Sequence, residues 1–171
     1  MQNVPFEVRV KALTWEAPGI FSVDLRPLES NVLPPFTAGA HVDLHLPTGL
    51  VRSYSLLNTQ SERHRYVIGV QRDRTSRGGS AWVHDKLRVG DPIKISGPRN
   101  NFPLTEDAPQ SILIAGGIGI TPILGMVRQL DALGRPWVLH YCTRTRAGAA
   151  FIDELEALAA NGRGVIRFNF D

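Results

Sequence analysis

The first hundred residues alternate apolar and polar positions with the two-residue period of a half-buried strand. Val8 and Val10 interleave with Glu7 and Arg9. Phe21, Val23 and Leu25 interleave with Ser22, Asp24 and Arg26, and Val42, Leu44 and Leu46 with His41, Asp43 and His45. The segment 52–56 follows, then Tyr66, Ile68 and Val70, and finally Ile93 and Ile95. Turn chemistry separates several of these runs: Pro18-Gly19, Pro34-Pro35, Pro47-Thr-Gly49 and Gly90-Asp-Pro92. Six short strands with one helix near Ser80–Leu87 predict a small Greek-key barrel over residues 1–104.

After Leu104 the pattern changes. A polar linker, 105–110, leads into segments whose periods switch between 2 and 3.6. They predict a strand at 111–117, a helix at 121–133, a strand at 137–144, a helix at 148–160 and a strand at 165–171. Ile123, Val127 and Leu130 mark the buried stripe of the first helix; Phe151, Leu155 and Leu158 mark that of the second. This is a β-α-β-α-β unit with a parallel sheet. The fold class is thus a β barrel plus α/β, the second domain running over 111–171 and incomplete. Ile112–Ala115 reads as a buried central strand, and Cys142, in mid-strand, as a small buried apolar residue. Val165–Phe170 reads as an apolar edge strand, which predicts self-association through 165–170.

Composition narrows the function classes. The chain has 171 residues, of which 43% are hydrophobic and 20% charged, as in an ordinary globular protein. Its net charge of +3 is spread without a basic block, so nucleic-acid binding is unsupported. There is no apolar run long enough to span a membrane and no signal peptide, so the expectation is a cytoplasmic protein. One cysteine allows neither an internal disulfide nor a cysteine-built metal site. His41 and His45 lie ~13 Å apart along a strand, too far for one zinc ion. No nucleophile elbow supports hydrolase chemistry.

The densest chemistry lies at Ile112-Leu-Ile-Ala-Gly-Gly-Ile-Gly-Ile-Thr-Pro122. Gly116, Gly117 and Gly119, with Ile118 between them, remove side chains where the backbone turns and a ligand can approach. Thr121 is placed to cap the following helix and Pro122 to occupy its first helical position, where its missing N–H costs nothing. Free N–H groups at such a helix start make an anion site suited to a dinucleotide. A plain tight turn is the alternative. Pro122 replaces the third glycine of the common dinucleotide pattern, and no acid follows the second strand, which ends Tyr141-Cys-Thr-Arg-Thr-Arg146.

A second motif, Arg52-Ser-Tyr-Ser55, puts Arg52 and Tyr54 on one strand face and Ser53 and Ser55 on the other. It offers a guanidinium for phosphate, a ring for a flat cofactor and hydroxyl donors; the alternative is an ordinary polar barrel strand. Arg77-Gly-Gly-Ser80 opens the barrel's helix, where Gly78 and Gly79 let the backbone approach a phosphate and Ser80 can cap. A capped hairpin loop is the alternative there.

These motifs, with Val70-Gln-Arg-Asp73 and Gly97-Pro-Arg-Asn-Asn-Phe-Pro103 between them, resemble the ferredoxin–NAD(P)H reductase superfamily. Within it the chain is most similar to the phthalate dioxygenase reductase and vanillate demethylase reductase-component branch, over that branch's N-terminal part. The resemblance implies a flavin-binding barrel followed by an NAD(P)-binding domain. It implies Arg52 on the flavin phosphate, Tyr54 against the ring and Ser55 near N5. It adds Ser53, Val70, Gln71, Arg77, Gly78, Gly79 and Ser80 as cofactor neighbours. Gly116–Gly119 and Pro122 would hold the NAD(P)H pyrophosphate, and Thr121 would sit near the nicotinamide carboxamide. Thr143 and Arg144 would lie by the adenosine ribose; Arg144 and Arg146, just past the second strand, could accept the 2′-phosphate of NADPH, with a solvated loop as the alternative, which leaves NADH and NADPH both open. Two phosphate-directed elements favour FMN over FAD. The branch also implies a [2Fe–2S] domain in a longer form and a Rieske-type terminal oxygenase as partner. The competing expectation is a flavin-binding module without NAD(P)H activity.

Overall fold

The computed structural model describes residues 4–28, 32–160 and 162–170; Asp171, at the end of the predicted last strand, lies outside them. Strands β1 (Phe6–Ala17), β2 (Ile20–Pro27), β3 (His41–His45), β4 (Val51–Ser55), β5 (Tyr66–Gln71) and β6 (Pro92–Arg99) form an antiparallel sheet in the order β4-β3-β6-β1-β2-β5. The bridge between Leu56 and Ile68 draws the β4 end of the sheet onto β5 and curls it into a barrel. Alternation decides what lies inside. Val8, Val10, Val23, Leu25, Val42, Leu44, Ile68, Val70 and Ile95 fill the interior, with Val83 and Leu87 at its helix-covered side. Helix α1 (Gly79–Lys86) follows β5.

The second sheet is parallel, β7 (Ser111–Gly116), β8 (Trp137–Thr143) and β9 (Gly164–Phe170), in the order β7-β8-β9. Helices α2 (Ile120–Ala132) and α3 (Ile152–Ala160) cover one face, burying Ala115, Trp137, Leu139 and Tyr141. The helix predicted at 148–160 is split: a 3-10 turn at Arg146–Gly148 precedes α3. Ile112–Ala115 is not a central buried strand. β7 is a sheet edge, and Ile112 and Ile114 are 68% and 71% exposed because no element covers their face. Cys142 shares that open face and is exposed rather than buried. A two-residue period with helices on one side leaves every second residue uncovered. Among the described residues β9 is paired on one side only, with Val165 and Phe170 exposed.

The two sheets share a core. Ala17, Ile20, Ala38, Leu57 and Val67 pack in one apolar cluster with Ile120, Ile123, Leu124 and Val127 of α2. Close approach depends on missing side chains: a Cβ on Gly69 would lie 2.6 Å from Thr121 Cγ2, and one on Gly125 would lie 3.0 Å from the Leu56 carbonyl oxygen. Arg128 adds a polar tie, donating to the Leu57 carbonyl and, at 2.6 Å, to Glu154. Gln129 of α2 donates to Glu106 at 3.0 Å.

Gly164 stands opposite Trp137 in the β8–β9 register. A Cβ there would meet three indole atoms at 2.0–2.4 Å, and Trp137 is 1% exposed. Gly164→Ala is therefore expected to destabilise the protein by about 2 kcal/mol, the ordinary scale of overpacking. A urea unfolding midpoint unchanged from the parent chain would refute this.

Candidate cofactor site

Among the described residues β4 pairs in the sheet with β3 alone, His41 facing Ser55, Asp43 facing Ser53 and Leu44 facing Arg52. Its free side carries the predicted motif. Arg52, Ser53 and Tyr54 line a cavity of about 450 Å³ together with Gln71, Asp73, Thr75, Ser76, Arg77 and Ser80. The Arg52 guanidinium donates to the Val51 carbonyl at 2.8 Å. Its stem lies against Gly79, where a Cβ would come within 2.5 Å of Arg52 Nε. Glycine at this helix start therefore makes room for the arginine. Arg77 carries no hydrogen bond or ion pair among the described residues. Burial raises the Tyr54 phenol above its ordinary value.

Ser80 does not cap α1. Gly78 holds that position with φ 94°, and Ser80 Oγ instead accepts from the Asp73 N–H at 3.1 Å. Its hydroxyl hydrogen thus stays available to a ligand. Asp73 accepts from the Thr75 N–H and hydroxyl, each at 2.9 Å, and these bonds lower its pKa. Val70 is wholly buried in the barrel core and its carbonyl accepts from His84 Nε2 at 3.1 Å. It can offer a ligand backbone only. Gln71, exposed, lines two cavities.

At the other motif, β7 ends at Gly116 and a 3-10 turn, Gly117–Gly119, leads into α2. A Cβ on Gly116, Gly117 or Gly119 would meet nothing within 4 Å. The turn is an open, side-chain-free surface, with Gly117 at φ +50°. The expected cap is different. Gly119 is the N-cap, and Thr121, 6% exposed, lies inside the helix and donates to the Ile118 carbonyl at 3.1 Å. Pro122 is the third helical residue rather than the first, because the helix starts two residues earlier than expected, at Ile120; an N–H is still not needed there. Ile118 packs toward the shared core.

A cavity of about 1210 Å³ opens between the two sheets. Gly117, Cys142, Thr143, Arg144 and Thr145 wall it on one side; Gly19, Ile20 and Arg72–Arg74 wall it on the other. The barrel wall was missed at the sequence level because Pro18-Gly19 signals only a turn. Arg144 makes no hydrogen bond or ion pair among the described residues. Arg146 does: it donates to Glu156 at 2.6 Å and lies 5.4 Å over the Phe168 ring.

Ser55 and Pro122, from the two motifs, line one cavity of about 240 Å³ with Gly39, His41, Ser53, Asn101 and Phe102. Behind it Asp43, 8% exposed, accepts from Ser53 Oγ and from Arg99 Nη2, both at 2.6 Å. Burial by itself would raise the Asp43 pKa; the Ser53 and Arg99 hydrogen bonds and the Arg99 charge outweigh it and hold the carboxyl below 3.8. A lowered carboxyl stabilises the fold above its ordinary value, and that contribution is lost as pH falls through the lowered one. Asp43→Asn is expected to flatten the acid limb of stability below about pH 4. A parallel acid limb in parent and variant would contradict the assignment. His45 Nε2 lies 2.8 Å from Ser96 Oγ and His41 faces Arg99.

The lining suits a ligand with a phosphate at one end and a flat ring at the other. Arg52, Arg77 and Ser80 can meet the phosphate, Tyr54 the ring, and the bare glycine turn a second, larger phosphate-bearing ligand. A six-stranded antiparallel barrel joined to a parallel nucleotide-binding sheet, with such a cleft between them, is the ferredoxin reductase-like class of FAD/NAD-binding fold.

Comparison with known proteins agrees. Residues 113–170 match the oxidoreductase NAD-binding domain family. The phenoxybenzoate dioxygenase subunit beta of Ectopseudomonas oleovorans is 55% identical over 151 residues, 88% of this chain and 47% of that protein. A vanillate O-demethylase oxidoreductase from Pseudomonas sp. (strain HR199 / DSM 7063) is 47% identical over 165 residues, 96% of this chain and 51% of its own length. The solved structure of phthalate dioxygenase reductase, described as a modular structure for electron transfer from pyridine nucleotides to [2Fe–2S], superposes with a TM-score of 0.91 at 42% identity. The match covers 98% of this chain and 52% of that one. The chain belongs to the ferredoxin–NAD(P)H reductase superfamily, in the phthalate dioxygenase reductase and vanillate demethylase reductase branch, whose N-terminal part it matches. It spans about half the length of these relatives. Among the described residues no helix is long and apolar enough to cross a membrane.

Proposed function

We propose that this chain is the NAD(P)H-oxidising, flavin-binding part of an electron-transfer reductase that serves an oxygenase or demethylase. The observation that carries the reading is the meeting of Ser55 and Pro122 on one cavity, which joins the β4 motif to the helix that follows the glycine turn. A bound FMN would supply the chemistry, taking hydride at ring N5 from nicotinamide C4 and releasing the electrons singly. The protein's own part is binding and orientation. Arg52, Arg77 and Ser80 grip the phosphate, and Tyr54 supports the ring. The Ser55 hydroxyl orients the N5 edge. Thr121, its hydrogen committed to Ile118, keeps acceptor lone pairs for a carboxamide N–H. Gly116–Gly119 take the pyrophosphate, and Thr143 and Arg144 the adenosine end. No second adenine site beside the barrel is required, which favours FMN over FAD.

The reading divides the chain into a flavin unit, 1–104, and a nucleotide unit, 111–171. In a longer form a [2Fe–2S] domain would carry electrons onward to a Rieske-type terminal oxygenase, in a cytoplasmic setting. A second reading, a flavin-binding module without NAD(P)H activity, is favoured by one observation: the open face of the three-stranded sheet at Ile112 and Ile114. That face and the exposed edge at 165–170 also support self-association, which light scattering tests.

The visible spectrum of the FMN-loaded protein, before and after anaerobic NADH, separates the readings. Bleaching of the flavin bands that saturates with NADH supports the reductase. Bands that persist leave the binding module. Failure to bind FMN removes both. Repeating the titration with NADPH reads out Arg144, which has no ion pair among the described residues and stands where a ribose 2′-phosphate would fall.

A further inference from the structure

The Asp43–Arg99 pair ends on the β4 motif, at Ser53. Asp43 is the direct cross-strand partner of Ser53. One carboxylate oxygen accepts from Ser53 Oγ and the other from Arg99, each at 2.6 Å. The arginine arrives there through an irregularity: the β3–β6 register shifts between His41 and Asp43, so His41 faces Arg99 while Asp43 faces Ser96. Three strands thus converge on one carboxylate. β4 needs such an anchor, because among the described residues its ladder pairs with β3 alone, while it carries Arg52 and Tyr54 to one cavity and Ser55 to the other. Ser53 lines both the 450 Å³ and the 240 Å³ cavities, so the pair stands one side chain from where the ring would lie.

The charges are unequally placed. The Asp43 side chain is 12% exposed and the Arg99 side chain 43%. A charge buried beside a site is weakly screened, and each partner removed alone leaves the other uncompensated. We propose that Asp43 and Arg99 are positioning residues for the flavin: they fix β4 and, through their opposed charges, set the potential at the ring. The proposal rests on the flavin reading above.

The test uses the full chain with Asp43→Asn, Arg99→Gln, the double variant and Arg99→Lys. FMN affinity is read by fluorescence titration, and the midpoint potential by spectroelectrochemistry at saturating FMN. Each neutralising single variant is expected to weaken FMN binding roughly tenfold, the value of one charge-assisted hydrogen bond. Reduction adds negative charge to the ring. Asp43→Asn should therefore raise the potential, Arg99→Gln lower it, and the double variant fall between them. Arg99→Lys, which keeps the charge, should retain the parent potential, and with Arg99→Gln it carries the test if Asp43→Asn does not fold. A loss of thermal stability alone cannot produce shifts of opposite sign. Shifts of the same sign, or none, overturn the proposal while leaving the flavin reading intact. A parent chain that binds no FMN removes the reading first and the proposal with it.

Discussion

Replacing Gly39 with alanine lowers the melting temperature by about 10 °C, the largest stability effect expected of any single methyl in this chain. Gly39 has φ +94°, where an L side chain is strained. Its Cβ would lie 1.9 Å from the Phe102 carbonyl oxygen and 2.9 Å from Met126 Cε. The first obstacle is backbone, so no rotamer change relieves it. The Phe102 loop is not free to retreat either. Asn100 donates to the Thr37 hydroxyl at 2.7 Å and the Ala38 carbonyl at 3.0 Å, and accepts from the Phe102 N–H at 3.0 Å. Left-handed strain of ~1 kcal/mol plus overpacking of ~2 kcal/mol gives about 3 kcal/mol, and a domain of this size loses about 3 °C per kcal/mol. Differential scanning calorimetry decides it. A shift under about 3 °C would mean that the two loops are not packed as described.

Arg52→Ala weakens FMN binding about 100-fold, the expected loss of two charge-assisted hydrogen bonds to phosphate. The reasoning starts from what Arg52 does without ligand. Among the described residues its guanidinium donates to the Val51 carbonyl and its stem rests on Gly79, with no carboxylate paired to it, so deletion orphans no buried charge. Stability should hold while affinity falls, a split that a folding defect would not give. Arg52→Lys keeps the charge but not the planar fork, and is expected to lose about tenfold. Fluorescence titration of the two variants beside the parent is the check. An affinity for Arg52→Ala within about threefold of the parent would place the phosphate elsewhere.

Local signals carried much of this site. The turn at Gly116, Gly117 and Gly119 was legible because a strand that runs into a glycine cluster and then a helix must turn there, and a Cβ on any of the three would meet nothing within 4 Å. The faces of β4 were legible in part: Arg52 and Tyr54 open on one cavity and Ser53 bonds Asp43, but Ser53 also lines the cavity that Arg52 and Tyr54 share. The caps were not legible. Thr121 and Ser80 have the right chemistry at nearly the right place, but glycines at 119 and 78 took the cap positions and the hydroxyls bonded Ile118 and Asp73 instead. A shift of one or two residues at a helix start changes the role of a hydroxyl, and local sequence does not fix helix starts that finely.

The sequence by itself determined the periods, and through them the barrel strands and the parallel unit, and its motif residues carried the family resemblance. Those are properties of neighbours along the chain. Tertiary structure alone decided which apolar residues are covered. Ile112 and Ile114 read like core residues, yet they lie on the face that neither α2 nor α3 reaches. It also decided what Asp43 meets, since its partners Ser53 and Arg99 are 10 and 56 residues away. Burial and charge pairing depend on which surfaces come together in space, and no local pattern encodes that.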